Sequence, residues 1–151
     1  MKVAYITKNS EETEKLGEEF AKNLKPQDIV FLIGELGSGK TTFTKGVAKG
    51  LGIESRVTSP TFVLMRTHRV SNQKSVNRNQ KIKTMYHLDL YRLQTEKQSL
   101  DIGLSDIFED PTGVTFIEWP EVGQNIVNKK VWKVTFDCLE NDERKITINN
   151  F

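Results

Sequence analysis

The stretch of this chain best suited to chemistry is residues 34–41, Gly-Glu-Leu-Gly-Ser-Gly-Lys-Thr, which matches the pattern Gly-x-x-x-x-Gly-Lys-Ser/Thr. An apolar run at residues 29–33 precedes it, and apolar residues at helical spacing follow it. This order of strand, glycine-rich loop and helix is typical of a phosphate-binding loop. Glycines let backbone N–H groups approach phosphates closely, and the N-terminus of a helix favours anions. The pattern therefore predicts a site for a nucleoside triphosphate.

Single positions in this loop have distinct predicted tasks. Lys40 reaches the β- and γ-phosphates, Thr41 offers its hydroxyl to Mg²⁺, and Thr42 lies on the α-phosphate side. The remaining contacts of the loop with the nucleotide are expected at Glu35, Leu36, Gly37, Ser38 and Gly39. The helix that follows is predicted to bury Phe43, Val47, Ala48 and Leu51 and to end at Gly52.

Two acidic residues in later strands are candidates for the same site. Glu118 ends an apolar strand, where an acid can give Mg²⁺ its second protein contact or orient a water molecule. Asp89 lies in a predicted strand over residues 84–92, in which it shares one face with His87. We therefore expect Glu118, Asp89 and His87 at one edge of the sheet, with the phosphate-binding loop.

Two further segments have open interpretations. Pro60 stiffens a turn, so that Thr61 lies at a loop-to-strand junction, where its hydroxyl either contacts a ligand or only packs. Residues 66–83 carry six Lys or Arg, one His and no acidic residue. This polar connector between two strands is either a solvated hairpin tip or an electrostatic contact to RNA or to an acidic partner.

Composition sets the limits for the whole chain. A length of 151 residues fits a single domain over residues 1–151, and a net charge of +2 argues against wholesale coating of nucleic acid. The N-terminus lacks the apolar core of a signal peptide, and no run approaches the roughly 20 apolar residues of a membrane span. We therefore expect a cytoplasmic protein without membrane contact. Cys138 is the only cysteine, which excludes an internal disulfide.

The order of the predicted elements indicates an α/β fold. Its helices include one with a capped start at Asn9 or Ser10 and a weak one over residues 100–108 that Gly103 interrupts. The unbroken apolar run before the loop is typical of a strand covered on both faces, as in a parallel sheet. The last two strands flank the polar turn at residues 140–143 and form a hairpin. The prediction is a phosphate-binding-loop (P-loop) NTPase-like fold, in which helices flank a mixed, mainly parallel sheet with an antiparallel edge hairpin.

Four motifs, in order along the chain, carry a resemblance to a known family. They are residues 34–43, residues 59–62 (Ser-Pro-Thr-Phe), residues 87–93 (His-Leu-Asp-Leu-Tyr-Arg-Leu) and residues 117–121 (Ile-Glu-Trp-Pro-Glu). With these motifs the chain resembles the TsaE (YjeE-type) family of ATPases in the biosynthesis of threonylcarbamoyladenosine in tRNA. The motifs extend over most of the chain, and together they are more specific than the loop alone.

The resemblance implies a small ATPase with ATP and Mg²⁺ as cofactors. It would act with a TsaB–TsaD partner complex, and its hydrolysis of ATP to ADP and phosphate would reset that complex. Carried over by motif, Lys40 and Thr41 hold phosphate and Mg²⁺, and Glu118 is the second acid near the metal. Asp89 is catalytic or positions water, Thr61 lies in a switch segment, and Trp119 lies beside the nucleotide. The connector at residues 66–83 is longer and more basic than the family pattern, so its role is not carried over.

Three other functions share parts of these patterns. A small-molecule kinase has the same loop and could use residues 66–83 as a basic lid. A GTPase is disfavoured, because Asn128-Lys129-Lys130-Val131 lacks the Asp of a guanine-reading motif. A nucleotide-gated binding module would hydrolyse ATP only incidentally. Turnover of ATP with and without acceptors separates the kinase, and nucleotide-dependent binding of partners separates the module.

Overall fold

The computed structural model describes residues 1–60, 64–71, 81–91, 103–122, 127 and 129–150. These residues contain seven strands and three α-helices. The strands are β1 (Lys2–Thr7), β2 (Ile29–Ile33), β3 (Met65–Arg69), β4 (Thr84–Asp89), β5 (Gly113–Glu118), β6 (Trp132–Cys138) and β7 (Arg144–Asn150). The helices are α1 (Ser10–Phe20), α2 (Lys40–Leu51) and α3 (Leu104–Glu109). Short 3-10 turns lie at Ala21–Asn23, Pro120–Val122 and Glu140–Asp142.

All seven strands belong to one mixed sheet with the order β1-β7-β6-β2-β5-β4-β3. The four strands β6, β2, β5 and β4 pair in parallel, whereas β1, β7 and β3 make antiparallel pairs. Because β1 is antiparallel to β7, it runs in the same direction as the parallel group. The predicted α/β fold with a mixed, mainly parallel sheet is therefore confirmed. Antiparallel pairing occurs at both edges of the sheet, although the sequence predicted it at one.

The central strand β2 is buried on both faces, as its apolar run predicts. Val30 and Leu32 belong to the larger core, which α1 and α2 cover, while Ile29 and Phe31 belong to a second core with α3. Strands β5 and β6 pair with β2 along its two sides. Since β2 is enclosed on all sides, it fixes the start of the loop that follows.

Helix α1 begins as the sequence predicts and packs closely on α2. The Oδ1 atom of Asn9, at the N-cap, accepts a hydrogen bond from the backbone N–H of Glu12 at 2.8 Å. A Cβ atom at Gly17 would lie 2.1 Å from the carbonyl oxygen of Phe43, and one at Gly46 would lie 1.8 Å from that of Glu14. The backbones of α1 and α2 thus come closer together than any residue with a side chain allows.

Helix α2 follows the phosphate-binding loop as predicted. Its N-cap is Gly39, and its C-cap Gly52 has a φ of 80° and donates its N–H back into the last turn. The four apolar residues that the helical spacing selects are all buried, namely Phe43, Val47, Ala48 and Leu51. Helix α2 therefore presents its N-terminus to the loop and its apolar face to the sheet.

Two predicted boundaries can be compared with the structure. The weak helix predicted over residues 100–108 and interrupted by Gly103 has its described part in α3, which Gly103 precedes with a left-handed φ of 78°. Residues 100–102 lie outside the described residues. The basic connector predicted at residues 66–83 begins later, since its first four residues lie in β3 and pair with β4. Residues 72–80 of the connector lie outside the described residues. No helix among the described residues is long and apolar enough to cross a membrane.

Candidate nucleotide-binding site

The loop between β2 and α2 has backbone angles that favour glycine. Gly37 and Gly39 have φ values of 77° and 106°, in the left-handed region. A Cβ atom at Gly34 would lie 2.6 Å from the Oγ atom of Ser38 and 2.9 Å from the carbonyl oxygen of Phe136. These three glycines are therefore required by the shape of the loop, which explains their spacing in the sequence.

Lys40, the first residue of α2, is folded back over the loop. Its Nζ atom donates hydrogen bonds to the carbonyl oxygens of Gly34 and Glu35, the latter at 2.9 Å. The same atom lies 5.6 Å from the centroid of the Trp119 ring, and the residue is only 7% exposed. Because carbonyl oxygens are neutral acceptors, a phosphate oxygen would make a stronger, charge-assisted bond with this ammonium group.

The two predicted acids lie side by side at the same edge of the sheet as the loop. Asp89 ends β4, Glu118 ends β5, and the two residues are direct partners in the parallel register. Glu118 is also the register partner of Leu32, just before the end of β2. Both acids are buried, at 3% and 4% exposure. Since the carboxyl ends of parallel strands meet at one edge, the fold brings together residues that are distant in sequence.

Each acid is held by a hydrogen bond. The Oδ1 atom of Asp89 accepts a hydrogen bond from the backbone N–H of Tyr91 at 3.0 Å. The Oε1 atom of Glu118 lies 3.0 Å from the Nε2 atom of His87, whose side chain is fully buried. The sequence placed His87 on the same face as Asp89, and this alternation is confirmed, because Leu88 and Leu90 belong to the opposite core.

A second buried histidine, His68 on strand β3, lies near His87. The Nδ1 atom of His68 lies 2.9 Å from the Oγ atom of Ser55. Burial lowers the pKa of His68, and nearby His87 and Arg66 lower it further. These effects favour a neutral His68 ring at neutral pH.

Trp119 directly follows Glu118 and turns the chain away from the sheet. Its φ of 54° is in the left-handed region, which is rare for a bulky residue. Its ring packs on that of Tyr91, with the centroids 5.0 Å apart and the planes at 54°. The two rings form an aromatic wall next to Lys40, and strained backbone of this kind is concentrated at binding sites.

These elements enclose a cavity of about 930 Å³, a volume suited to a nucleotide. Most of the predicted site residues line it, namely Glu35, Leu36, Gly37, Gly39, Lys40, Thr41, Thr42, Asp89, Glu118 and Trp119. Ser38 does not line the cavity, since it is buried, and its Oγ atom has no hydrogen-bond partner among the described residues. Thr61 lies outside the described residues. Of the described site residues that the sequence selected, the structure thus brings all except Ser38 to the cavity.

One wall of the cavity was not predicted. It includes Lys8 and Asn9 from the β1–α1 turn, Asn141 and Asp142 from the β6–β7 turn, and Arg144, the first residue of β7. The Nη2 atom of Arg144 donates a hydrogen bond to the carbonyl oxygen of Gly37 at 3.4 Å. No local pattern marks these residues, because they meet only through the pairing of β7 with β1 and β6.

The carboxylates suit a metal that is bound mainly through phosphates. No group of three or more His, Cys, Asp or Glu side chains that could hold a metal ion occurs among the described residues. Mg²⁺ in nucleotide sites uses one or two protein oxygens and takes its other ligands from phosphates and water. Thr41 and Glu118 both line the cavity and supply such oxygens. The residues present therefore fit a magnesium–nucleotide complex.

Comparisons with known proteins relate the chain to a family of known sequences. The family model "Threonylcarbamoyl adenosine biosynthesis protein TsaE" matches residues 7–146. The tRNA threonylcarbamoyladenosine biosynthesis protein TsaE of Bacillus subtilis is 36% identical over 141 residues, which cover 93% of this chain and 81% of the relative. The protein of the same name from Treponema pallidum is 32% identical, with coverage of 95% and 97%.

A solved structure has the same fold. The crystal structure of Bacillus subtilis YdiB matches with a TM-score of 0.76 and 31% sequence identity, over 98% of this chain and 84% of that chain. The match includes nearly every element described above, so the sheet and the loop belong to a shared architecture. On the family model, the relatives and this fold, the chain belongs to the TsaE family of tRNA threonylcarbamoyladenosine biosynthesis proteins.

Proposed function

We propose that this protein is a magnesium-dependent ATPase that supports the threonylcarbamoyladenosine modification of tRNA. The observation that supports the proposal best is the meeting of Lys40 with two buried carboxylates, Asp89 and Glu118, in one nucleotide-sized cavity. A site that only bound nucleotide would need the loop and the lysine. Two buried acids beside the same cavity are the additional groups that hydrolysis uses to hold Mg²⁺ and to orient water.

Each residue has a defined part in the proposed reaction. The loop cradles the phosphates, and Lys40 exchanges its two carbonyl acceptors for phosphate oxygens when the nucleotide binds. Thr41 and Glu118 would hold Mg²⁺, and the bound ion would supply positive charge beside the phosphates. Asp89, held by the N–H of Tyr91, orients the attacking water. Trp119 covers the side of the nucleotide. Thr61 stays a predicted switch residue on sequence grounds alone.

The partners of the reaction are part of the proposal. Membership of the family implies work in the same pathway as other Tsa proteins, and we propose a TsaB–TsaD-type complex as the assembly that ATP hydrolysis resets. Weak contact with tRNA would come from residues 66–83, in which Arg66, Arg69, Lys81 and Lys83 are exposed. Lys74 and Arg78 of that segment lie outside the described residues. We expect the protein to act in the cytoplasm, where tRNA is modified.

Hydrolysis of ATP by the purified protein, with and without Mg²⁺, is the first test. We expect Lys40→Ala to abolish turnover and most affinity for ATP, because this ammonium group is the main side-chain counterpart of the phosphates. Lys45→Ala is the matched control, since Lys45 is exposed on the same helix and does not line the cavity. Equal turnover in the Lys40 variant and its control would refute the site.

A second pair of variants separates binding from chemistry. Glu118→Gln should keep nucleotide binding and lower turnover by about 10²-fold or more, because the amide keeps the shape and loses the charge. Asp89→Asn should act in the same direction, less severely. Rescue of threonylcarbamoyladenosine in the tRNA of depleted cells then tests the cellular role. A Glu118→Gln variant that rescues fully and hydrolyses ATP normally would refute the assignment.

A further inference from the structure

The hydrogen bond between His87 and Glu118 is the feature of the site whose role is still unassigned. The distance between Nε2 and Oε1 is 3.0 Å, and the two side chains are 0% and 5% exposed. A carboxylate oxygen only accepts hydrogen bonds, so the Nε2 atom of the ring must carry a proton and donate the hydrogen bond to Glu118. Removal of either side chain would leave the other buried without its only described side-chain partner, which is costly. The hydrogen bond therefore holds both side chains in place.

The other ring nitrogen of His87, Nδ1, does not explain why the side chain lies where it does. Its Nδ1 atom is buried and has no hydrogen-bond partner among the described residues. The nearby His68 also uses one ring nitrogen: its Nδ1 atom lies 2.9 Å from the Oγ atom of Ser55, and its Nε2 atom has no partner among the described residues. The partner of His68 is a hydroxyl group that does not line the cavity. His87 instead directs its one described hydrogen bond at the acid that faces the cavity.

The strands make this arrangement rigid. His87 lies inside β4, which pairs with β3 on one side and with β5 on the other. Its register partner on β5 is Phe116, two residues before Glu118 on the same face of that strand. The ring therefore reaches diagonally along the sheet to the carboxylate, a distance that long side chains in adjacent strands span. Neither residue can move without disturbing a buried strand.

We infer that His87 is a positioning residue, which fixes the carboxylate of Glu118 so that its second oxygen is directed at the magnesium–phosphate complex. This inference rests on the proposed function. The Nε2–H group occupies Oε1, and Oε2 has no hydrogen bond to any described residue, which leaves it for the metal or its water. Hydrogen bonds to metal-binding carboxylates orient them, and their loss typically costs about 10–100-fold in metal affinity or activity.

Two substitutions at His87 separate positioning from packing. The side-chain N–H of Gln can reach roughly as far as Nε2, whereas that of Asn reaches only about as far as Nδ1. We expect His87→Asn to raise the Mg²⁺ concentration for half-maximal nucleotide binding by about 10-fold or more, and His87→Gln to recover most of this loss. Binding of ADP without Mg²⁺ should change in neither variant. His68→Gln, at the neighbouring buried histidine, is the matched control and should leave the Mg²⁺ dependence unchanged.

A double-mutant cycle gives a second measurement. If His87 acts only through Glu118, then His87→Asn should lower turnover strongly in the parent and by less than about twofold in the Glu118→Gln background. Equal losses in the two backgrounds would overturn the inference. So would Asn and Gln variants with the same Mg²⁺ dependence, or a folded Asn variant that binds Mg²⁺–nucleotide like the parent.

Nitrogen NMR of the histidine rings tests the geometry without a variant at His87. We expect the Nε2 atom of His87 to carry the proton of its hydrogen bond to Glu118, and the Nε2 signal to shift in Glu118→Gln. An Nε2 atom without a proton would overturn the inference. If the parent binds Mg²⁺–nucleotide but does not hydrolyse ATP, the proposed function fails, while the binding and NMR measurements still decide the role of His87.

Discussion

The close contact between α1 and α2 gives the sharpest prediction for the scaffold of the site. A Cβ atom at Gly46 would lie 1.8 Å from the carbonyl oxygen of Glu14, 2.7 Å from its carbonyl carbon and 3.0 Å from its Cα atom. All three atoms are backbone, so no side-chain rotation relieves the contact. The substitution Gly46→Ala therefore forces the two helices apart by more than about 1 Å, because ordinary van der Waals contacts are about 3.5–4.0 Å.

The size of the effect follows from two opposing terms. Overpacking in a well-packed core costs about 1–3 kcal/mol, and a contact with rigid backbone is at the upper end of this range. Alanine in place of glycine returns about 1 kcal/mol through helix propensity. We expect a net loss of about 2 kcal/mol in the free energy of unfolding, which lowers Tm by about 4–8 °C in a chain of this size.

Thermal and urea unfolding of Gly46→Ala and Lys45→Ala provide the measurement. Lys45 is the neighbouring residue on α2 and is exposed, so its substitution should change stability by less than about 0.5 kcal/mol. Affinity for ATP should fall in the Gly46 variant, because α2 carries Lys40 and Thr41 at its N-terminus. A Gly46→Ala protein as stable as the Lys45 control would refute the packing argument.

Three other predictions follow from single contacts. Tyr86→Phe removes the 2.7 Å hydrogen bond that lowers the pKa of Asp110 and raises that of Tyr86. It should cost about 0.5–1.5 kcal/mol between pH 4 and pH 10. This difference in the free energy of unfolding should vanish in acid, as pH falls through the lowered pKa of Asp110, and in alkali, as pH rises through the raised pKa of Tyr86. Unfolding measured at a series of pH values provides the test. Asn9→Ala should lower stability by about 1 kcal/mol in urea unfolding, whereas Asn9→Ser should not. Replacing Lys81 and Lys83 by Ala should flatten the salt dependence of tRNA affinity without changing ATP turnover, and equal slopes would exclude phosphate contacts there.

The sequence by itself determined the features that depend on neighbouring residues. The loop from Gly34 to Thr41, the buried face of α2, the cap at Asn9 and the strand ending at Glu118 all follow from local spacing and backbone preference. The α/β class and the motifs of the family can also be recognised from short stretches of the sequence. The interruption at Gly103 also follows from a local preference, since glycine readily adopts the left-handed φ of 78° that precedes α3.

Only the tertiary structure decided which distant residues share the cavity. Arg144 reaches the phosphate-binding loop because β7 lies between β1 and β6, and no local pattern encodes this strand order. His87 meets Glu118 because β4 and β5 pair in parallel with one particular register, and a shift of one residue would turn His87 to the opposite core. Local sequence patterns supply the chemical groups of this site, and strand order and register determine how those groups are arranged around it.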